Sequence, residues 1–395
     1  MKALFAHDHR FIPGEGAVWS ESQFEAALWP RYLKHFGTLT VAARHGAVPP
    51  GKTVADLALS SALNVSFELF PNLSSLWGLV RARPAAAKRM QALVEEHDVV
   101  IARPPGEIAF LAIASAQALG KPWAVQVDGC PWDGFWNYGS LAGCLYAPVA
   151  WFRMRRAVAQ SDSVIYVTRE FLQQRYPTNA TNVAAASNVM LSDVSPAVLE
   201  ARLCRITTLM RHPLKLGLIG TLRGRVKGIQ TIFAALARAR NELPPLKLHI
   251  LGPGDPVPWQ KEARHLGIDD LVEFEGTLPA GDPVLRWLDT IDLYLQPSLK
   301  EGLPRALVEA MSRGCPAIAS RAAGIPELLK AEDLIKPGDS VALAKILVER
   351  STDRKWMHSR ARTNWQTSQD YRAENLDKRR DEFWEKFLRN AADRS

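Results

Sequence analysis

TIDLYLQPSLKEGLPRALVEAMSRGCPAIAS, Thr290 to Ser320, places an apolar run, a glycine-bearing loop, an amphipathic stretch and a second apolar run in that order. The pattern predicts strand, loop, helix, strand, the repeating unit of a parallel sheet. Pro304 suits the first helical position, and Leu303 before it has no side chain that can cap. Amide donors near Gly302, Leu303, Arg305 and Ala306 are therefore left for an outside acceptor, at the partly positive end of the helix. Glu301 stands in the loop and Glu309 more than one turn into the helix. Two carboxylates around a phosphate-favouring helix start fit a nucleotide sugar, whose ribose and hexose flank a diphosphate. A plainer reading stays open, in which Glu309 pairs with Arg305 and Arg313 at i±4 on an exposed face, worth about 0.3 to 0.5 kcal/mol per pair.

Outward from this unit the alternation continues. KALFAH, LTVAA, DVVIA, WAVQVD, SVIYVT, LKLGLIG, LKLHILG, LVEFEG, LYLQPS and PAIAS read as strands, with helical stretches such as IAFLAIASAQALG and IQTIFAALARAR between them. The fold class is therefore α/β with parallel sheets, and these strands are too many for one small sheet. A chain of 395 residues suggests about two domains. The polar stretch 188–213 is the expected passage between them. With 47% hydrophobic and 23% charged residues the chain reads as soluble and globular. Its longest notable apolar run, Leu141 to Phe152, has 12 residues, short of the roughly 20 a bilayer span needs. The N-terminus reads as a first strand, not a signal peptide. Four cysteines without CxxC spacing read as reduced, mostly buried thiols of a cytoplasmic protein.

The net charge of +8 is unevenly placed. Residues 1–200 carry 17 basic and 16 acidic side chains, whereas 201–227 hold seven basic ones (Arg202, Arg205, Arg211, Lys215, Arg223, Arg225, Lys227) and no acid. That stretch has no aromatic residue, so a local anion site is expected there and no nucleic-acid partner. LKLGLIGTLRGRVKGIQTIFAAL has strand, basic glycine loop and helix, in which Gly220, Gly224 and Gly228 let the backbone approach a phosphate and Lys227 supplies a point charge. No GxxxxGK[ST] is present. A solvated basic loop is the competing reading.

The stretch from about Leu216 to Leu347 resembles the donor-binding half of the retaining glycosyltransferases of family 4. The matching segments are IGTLRGRVKG, LHILGPG, LVEFEGTL, the opening stretch, AGIPELL and LIKPGDSVALAKIL. The Glu301/Glu309 pair with Lys227 is the specific part. The resemblance implies a GT-B fold: two Rossmann-like domains facing a cleft, with 1–195 binding the acceptor, 205–360 the UDP- or GDP-sugar donor, and 361–395 crossing back as a helix. It implies that Lys227 binds the diphosphate, Glu309 the ribose and Glu301 the transferred sugar, with Gly220, Thr221, Gly302 and Leu303 lining the donor site. The family commonly has an arginine directly after the strand glycine, and here Thr221 stands there; Arg223 or Arg225 is the expected substitute. Retention at the anomeric carbon and transfer to a glycan or lipid-linked acceptor in bacterial surface polysaccharide synthesis also follow from the resemblance.

In the first half, HDHRFIPGEGAVWSESQFEAALWPRYLKHF is expected as strand, glycine loop and helix, bringing Gly14 and Gly16 toward the cleft, and WAVQVDGCPWDGFW ends a strand at Asp128. His7, Asp8, His9, Arg103, Asp128 and Asp133 are cleft candidates, with Asp128 placed among the catalytic residues beside Glu301 and Lys227. Strand-end His and Asp residues also serve as local backbone caps. No D-x-D occurs, so no metal and no bound cofactor are expected, positive charge coming from Lys227, arginines and helix dipoles. Ser75–Met90 and Leu141–Arg156 combine apolar and basic residues and suit an anionic membrane surface, which would make the protein peripheral at the inner face; two core helices with basic ends are the alternative. Two other classes stay open: a non-catalytic nucleotide-sugar or polysaccharide-binding protein, and an NAD-dependent oxidoreductase using Gly252 to Gly254, whose turn lacks the third glycine of GxGxxG.

Overall fold

The computed structural model describes residues 1–393 except 15, 22–23, 52, 74–77, 137–140, 190, 192–193 and 209–212. Among the described residues the apolar runs form fifteen strands in two sheets. The first sheet contains β1 (Lys2–Gly14), β2 (Ala17–Ser20), β3 (Thr38–His45), β4 (Ala58–Leu59), β5 (Val65–Phe70), β6 (Val99–Ala102), β7 (Trp123–Val127), β8 (Ser163–Tyr166) and β9 (Asn182–Ala185). Its parallel part runs β5-β3-β1-β6-β7-β8-β9, while β2 and β4 extend it antiparallel. The second sheet is parallel throughout in the order β12-β11-β10-β13-β14-β15, from β10 (Leu214–Ile219), β11 (Leu246–Leu251), β12 (Val272–Gly276), β13 (Leu293–Gln296), β14 (Ala317–Ser320) and β15 (Leu334–Ile335).

Both sheets wind outward in two directions from their first strand, so each has a point where the strand order reverses: between β1 and β6 in the first, between β10 and β13 in the second. Ligands in open α/β sheets bind at the carboxyl ends of strands at such points. Central strands are buried on both faces, which is why VVIA of β6 and LYLQ of β13 read as unbroken runs without alternation.

Three expectations are corrected. First, β1 does not stop at a glycine loop: after a bulge between Ala6 and Arg10 it continues to Gly14 and turns back at Gly16, φ +76°, into β2, pairing Gly14 with Ala17. A glycine that accepts positive φ next to apolar β residues makes a hairpin instead of a helix start. Secondly, the passage around 188–213 holds a helix, Pro196–Thr207, anchored to the second half by Arg202, which donates to the carbonyls of Leu288 (2.8 Å), Ile291 and Arg313 (3.1 Å). Thirdly, the return to the first half begins later than 361. The Arg354–Ser368 helix stays on the second sheet, with Trp356 Nε1 donating to Asp333 at 2.9 Å and Asn364 to the Cys315 carbonyl at 2.8 Å. The chain crosses near Tyr371, and the Ala373–Ala392 helix buries Phe383, Trp384 and Phe387 on the first half. There Trp384 meets Phe36 edge-on and Tyr32 at a tilt, and Asn182 donates to the Phe383 carbonyl at 3.0 Å.

All four cysteines are free; Cys130 and Cys315 are buried and Cys204 is exposed. Among the described residues no helix is long and apolar enough to cross a membrane.

Candidate active site

The two reversal points face each other across a cavity of about 580 Å³. From the first sheet it receives His7 from the bulged part of β1, Arg103 just after β6, and Asp128 to Pro131 just after β7. From the second it receives Val226 and Lys227 from the loop after β10, and Lys300, Glu301 and Gly302 from the loop after β13.

Lys227 and Glu301 meet there, Nζ to Oε1 at 2.7 Å. The same oxygen accepts from Ser298 Oγ at 2.7 Å and Gln296 Nε2 at 3.1 Å. Three donors on one oxygen fix the carboxylate and leave its second oxygen for a ligand. Backbone packing locks the two loops together: Leu299 N–H donates to the Val226 carbonyl at 2.8 Å. Gly228, at φ +77°, lies so close to Pro297 that a Cβ would sit 2.0 Å from its carbonyl oxygen. Gly220 fits under the Lys227 stem, whose Cγ an added Cβ would meet at 2.7 Å. Gly302 closes the site against the first half, where a Cβ would come within 2.4 Å of the Asp128 carbonyl oxygen.

Glu309 resolves the alternative left open above. Arg313 is held by Asp289 through two bonds of 2.7 Å, and Arg305 lies beyond ion-pair distance of Glu309. Among the described residues the Glu309 carboxylate has no hydrogen-bond or ion-pair partner, although it is half-buried. Burial pushes its pKa up, and the field of Arg305 opposes this only in part. A carboxylate desolvated without a partner costs free energy, which a merely structural role does not explain.

The first half contributes an ion pair. Arg103 meets Asp128, which also accepts from Asn188 Nδ2 at 3.1 Å. Burial, with Arg31 and Arg305 nearby, brings the Arg103 pKa down to about 10. His7 Nδ1 donates to the Arg103 carbonyl at 3.0 Å; a carbonyl only accepts, so the proton is on Nδ1 and Nε2 is left as an acceptor. Burial and Arg103 hold His7 well below the usual histidine range, so it is neutral at pH 7.

Other candidates lie elsewhere. Asp8 accepts from the Ile108 amide at 2.9 Å and so caps the Glu107–Ala118 helix. His9 packs between Phe11 and Phe24. Gly14 and Gly16 are in the hairpin, and neither they nor Asp133, which stands 3.5 Å from Arg175, line the cavity. Leu303 is buried in the core under the helix start, and Pro304 is the N-cap, not the first helical residue; it offers no side-chain cap. Thr221 bonds the Pro253 carbonyl at 3.2 Å. Neither expected substitute for the family arginine lines the cavity. Arg225 is committed to Glu262 and lies over the Trp259 ring at 5.4 Å, and Arg223 is exposed, 3.7 Å from Glu21 of the first half. The basic run 201–227 is thus not one anion site: Arg202 is a buried anchor, Arg205 pairs with Asp292 at 2.7 Å, and Arg211 lies outside the described residues.

Sequence reasoning missed Lys300. Its half-buried ammonium faces the cavity 3.0 Å from where a Cβ on Gly134 would sit, and burial lowers its pKa. Its position next to Glu301 was the available signal, and a loop lysine carries no mark of the wall it will face.

Comparison with known proteins gives the site its context. Residues 213–353 match the family "Glycosyl transferases group 1". Protein CapJ of Staphylococcus aureus is 26% identical over 95% of this chain and 93% of its own length. The amylovoran biosynthesis glycosyltransferase AmsK of Erwinia amylovora is 39% identical over 26% of this chain and 27% of its own. The crystal structure of Anabaena Alr3699/HepE in complex with UDP superposes with a TM-score of 0.66 at 19% identity, covering 98% of this chain and all of that one. The matched family segment contains Lys227, Glu301 and Glu309 and ends before the helix that returns to the first half.

Proposed function

We propose that this chain, a GT4-like hexosyltransferase with the GT-B fold, moves a hexose from a nucleoside-diphosphate donor to a glycan or lipid-linked acceptor, without a metal and with retention, in bacterial surface polysaccharide synthesis. The observation that carries the reading is the Lys227–Glu301 pair at 2.7 Å on the wall of the interdomain cavity, with the partnerless Glu309 carboxylate on the helix beyond.

The roles follow from the chemistry of each group. Lys227 has three N–H donors, of which one is spent on Glu301 and two remain for phosphate oxygens. Glu301 offers its second oxygen to hydroxyls of the transferred sugar, Glu309 accepts from the ribose hydroxyls, and His7 Nε2 accepts from a sugar hydroxyl across the cleft. In the transfer the bond from the anomeric carbon to the phosphate oxygen breaks and the bond to the acceptor oxygen forms on the same face. The departing phosphate oxygen takes the acceptor proton. Asp128 is engaged by Arg103 and Asn188, and Glu301 by Lys227, Ser298 and Gln296. Asp128 is thereby held by its partners, and Glu301 turns its free oxygen to the sugar hydroxyls, which favours this same-face path over a double displacement. Asp128 acts by positioning Arg103.

Positive charge for the leaving diphosphate comes from Lys227 and Lys300, and the carboxylates of the cavity are already matched to cations. Transfer is therefore expected to proceed undiminished after exhaustive treatment with a chelator. An activity lost to EDTA and restored by magnesium or manganese sinks metal independence. UDP is the first nucleotide to test, because HepE was crystallised with it; GDP is the second. A donor that is bound but neither transferred nor hydrolysed would favour the non-catalytic binding protein.

One surface supports a peripheral membrane setting. On the Leu141–Gln160 helix, Leu141, Leu145, Val149 and Phe152 form a stripe at helical spacing and are exposed, Leu145 by 80% and Phe152 by 61%, while Ala147, Ala150 and Met154 face the core. The stripe ends at exposed Arg155 and Arg156, which suits an anionic bilayer. The other candidate segment is different: Ser75 to Trp77 lie outside the described residues, Ala86 and Met90 are core, and Arg83 and Arg89 face Glu107 and Glu68. Vesicles with anionic lipid are expected to carry the protein upward in flotation, and Leu145→Glu with Phe152→Glu to abolish this. No recovery with either anionic or zwitterionic vesicles removes the membrane role, and equal recovery with both removes the part given to anionic lipid.

A further inference from the structure

A second cavity of about 220 Å³ adjoins the first and shares Arg103, Asp128 and Gly302 with it. Arg31 projects into it from the first half and Arg305, the first residue of its helix, from the second. Arg103 is matched by Asp128. Arg31 and Arg305 have no acidic partner within ion-pair distance among the described residues, yet their fields reach their neighbours. Arg103 is under the influence of both, and Arg380, bound to Asp377 at 2.8 Å, is under that of Arg31. Glu309 lies too far from Arg305 for an ion pair. Guanidinium groups crowded in this way repel one another, and the unpaired ones are half-buried or exposed, where water screens them. The arrangement becomes favourable when an anion enters between Arg31 and Arg305, because guanidinium groups recognise phosphate bidentately.

We propose that this second cavity is an anion subsite for the acceptor, taking a phosphate or diphosphate ester that the acceptor carries, with Arg31 and Arg305 as the two sides of a clamp. The proposal rests on the transferase reading above and adds the substrate class to it. An acceptor anchored by its phosphate here shares the Arg103–Asp128 floor with the donor cavity, so a hydroxyl on its adjoining sugar is directed toward Glu301. Lys227 stays with the donor in the first cavity. The ester could belong to a lipid diphosphate or to a soluble sugar phosphate, and both present the same chemistry to the arginines.

The test is calorimetric titration of inorganic pyrophosphate into the full chain saturated with UDP. Pyrophosphate is expected to bind, and Arg31→Ala and Arg305→Ala each to weaken it about tenfold, while the affinity for UDP stays as in the wild type. Neither arginine is an anchor of the fold, and unchanged melting of both variants confirms that. Displacement of pyrophosphate by farnesyl diphosphate but not hexose 1-phosphate supports a lipid source, and the reverse a soluble one. If saturating UDP excludes pyrophosphate, the arginines belong to the donor and the proposal fails. It fails equally if both variants bind pyrophosphate like the wild type. Binding of pyrophosphate through Arg31 and Arg305 by a chain that takes no nucleotide would leave the subsite standing and remove the transferase reading.

Discussion

Lys227→Ala lowers turnover by about 10² to 10³ at saturating donor, the usual cost of removing one electrostatic contact to a developing charge. The magnitude is set by what else can neutralise the leaving diphosphate. Arg103 is spent on Asp128, and His7 is neutral. Lys300 remains, a single ammonium on the opposite side of Glu301 that cannot stand in for the contact Lys227 makes. Stability changes little, because Glu301 keeps Ser298 and Gln296 as donors when the lysine is gone. Glu301→Ala lowers turnover over the same range for a different reason: it removes the sugar contact and releases Lys227 from its fixed direction. Lys227→Arg does not rescue, since the lysine stem fills the space over Gly220 and a guanidinium needs a wider berth. Rates at saturating donor and acceptor, read beside thermal melts, decide the matter. Transfer near the wild-type rate in both alanine variants rules the site out.

The part of this site that the sequence shows is the part held by local rules. Strand–loop–helix patterning located the loops after β10 and β13, and the spacing of Glu301 and Glu309 placed both on the same unit. The same rules misplaced what depends on neighbours. The run of seven basic residues looked like one site because it is continuous in sequence, yet the fold sends Arg202 inward to carbonyl oxygens, Arg225 to Glu262 and only Lys227 to the cavity. The positions of Gly14 and Gly16 point toward the cleft, yet the β-forming residues on either side make them a hairpin. Arg31 carries no local signal and Lys300 only its place beside Glu301, because what matters about them is which residue of the other half lies opposite. Asp8 sits in the bulge of β1 and Asp128 just after β7, and one caps a helix while the other anchors an arginine; each follows an apolar run in the sequence, which offers the same pattern for both.

Glu309 gives the sharpest separation between a structural and a functional carboxylate. Its folded pKa is raised above the ordinary value of 4.5 by burial. For an acid raised in the folded state the favourable condition is the protonated one. Its contribution is therefore fully present below the unfolded pKa and is lost as pH rises through the folded one. Above that folded pKa the unliganded chain carries a desolvated, unpartnered charge. Glu309→Leu should relieve that and raise the melting temperature by about 2 to 4 °C, the shift expected for roughly 1 kcal/mol in a domain of this size. The same substitution should weaken nucleotide binding about 100-fold or more, because two charge-assisted hydrogen bonds to ribose hydroxyls are lost at about 1.5 to 3 kcal/mol each. Glu309→Gln should lie between, retaining shape and one acceptor without the charge. Nucleotide binding by the wild type should strengthen as pH rises through the folded pKa of Glu309, since the ionised form is the better acceptor, and this rise should vanish in Glu309→Gln. Calorimetry with UDP over that range, next to melting curves of the three proteins, measures each part. A leucine variant that gains stability and still binds UDP as tightly as the wild type would show that the carboxylate has no ribose to hold, and the donor orientation proposed here would have to be abandoned.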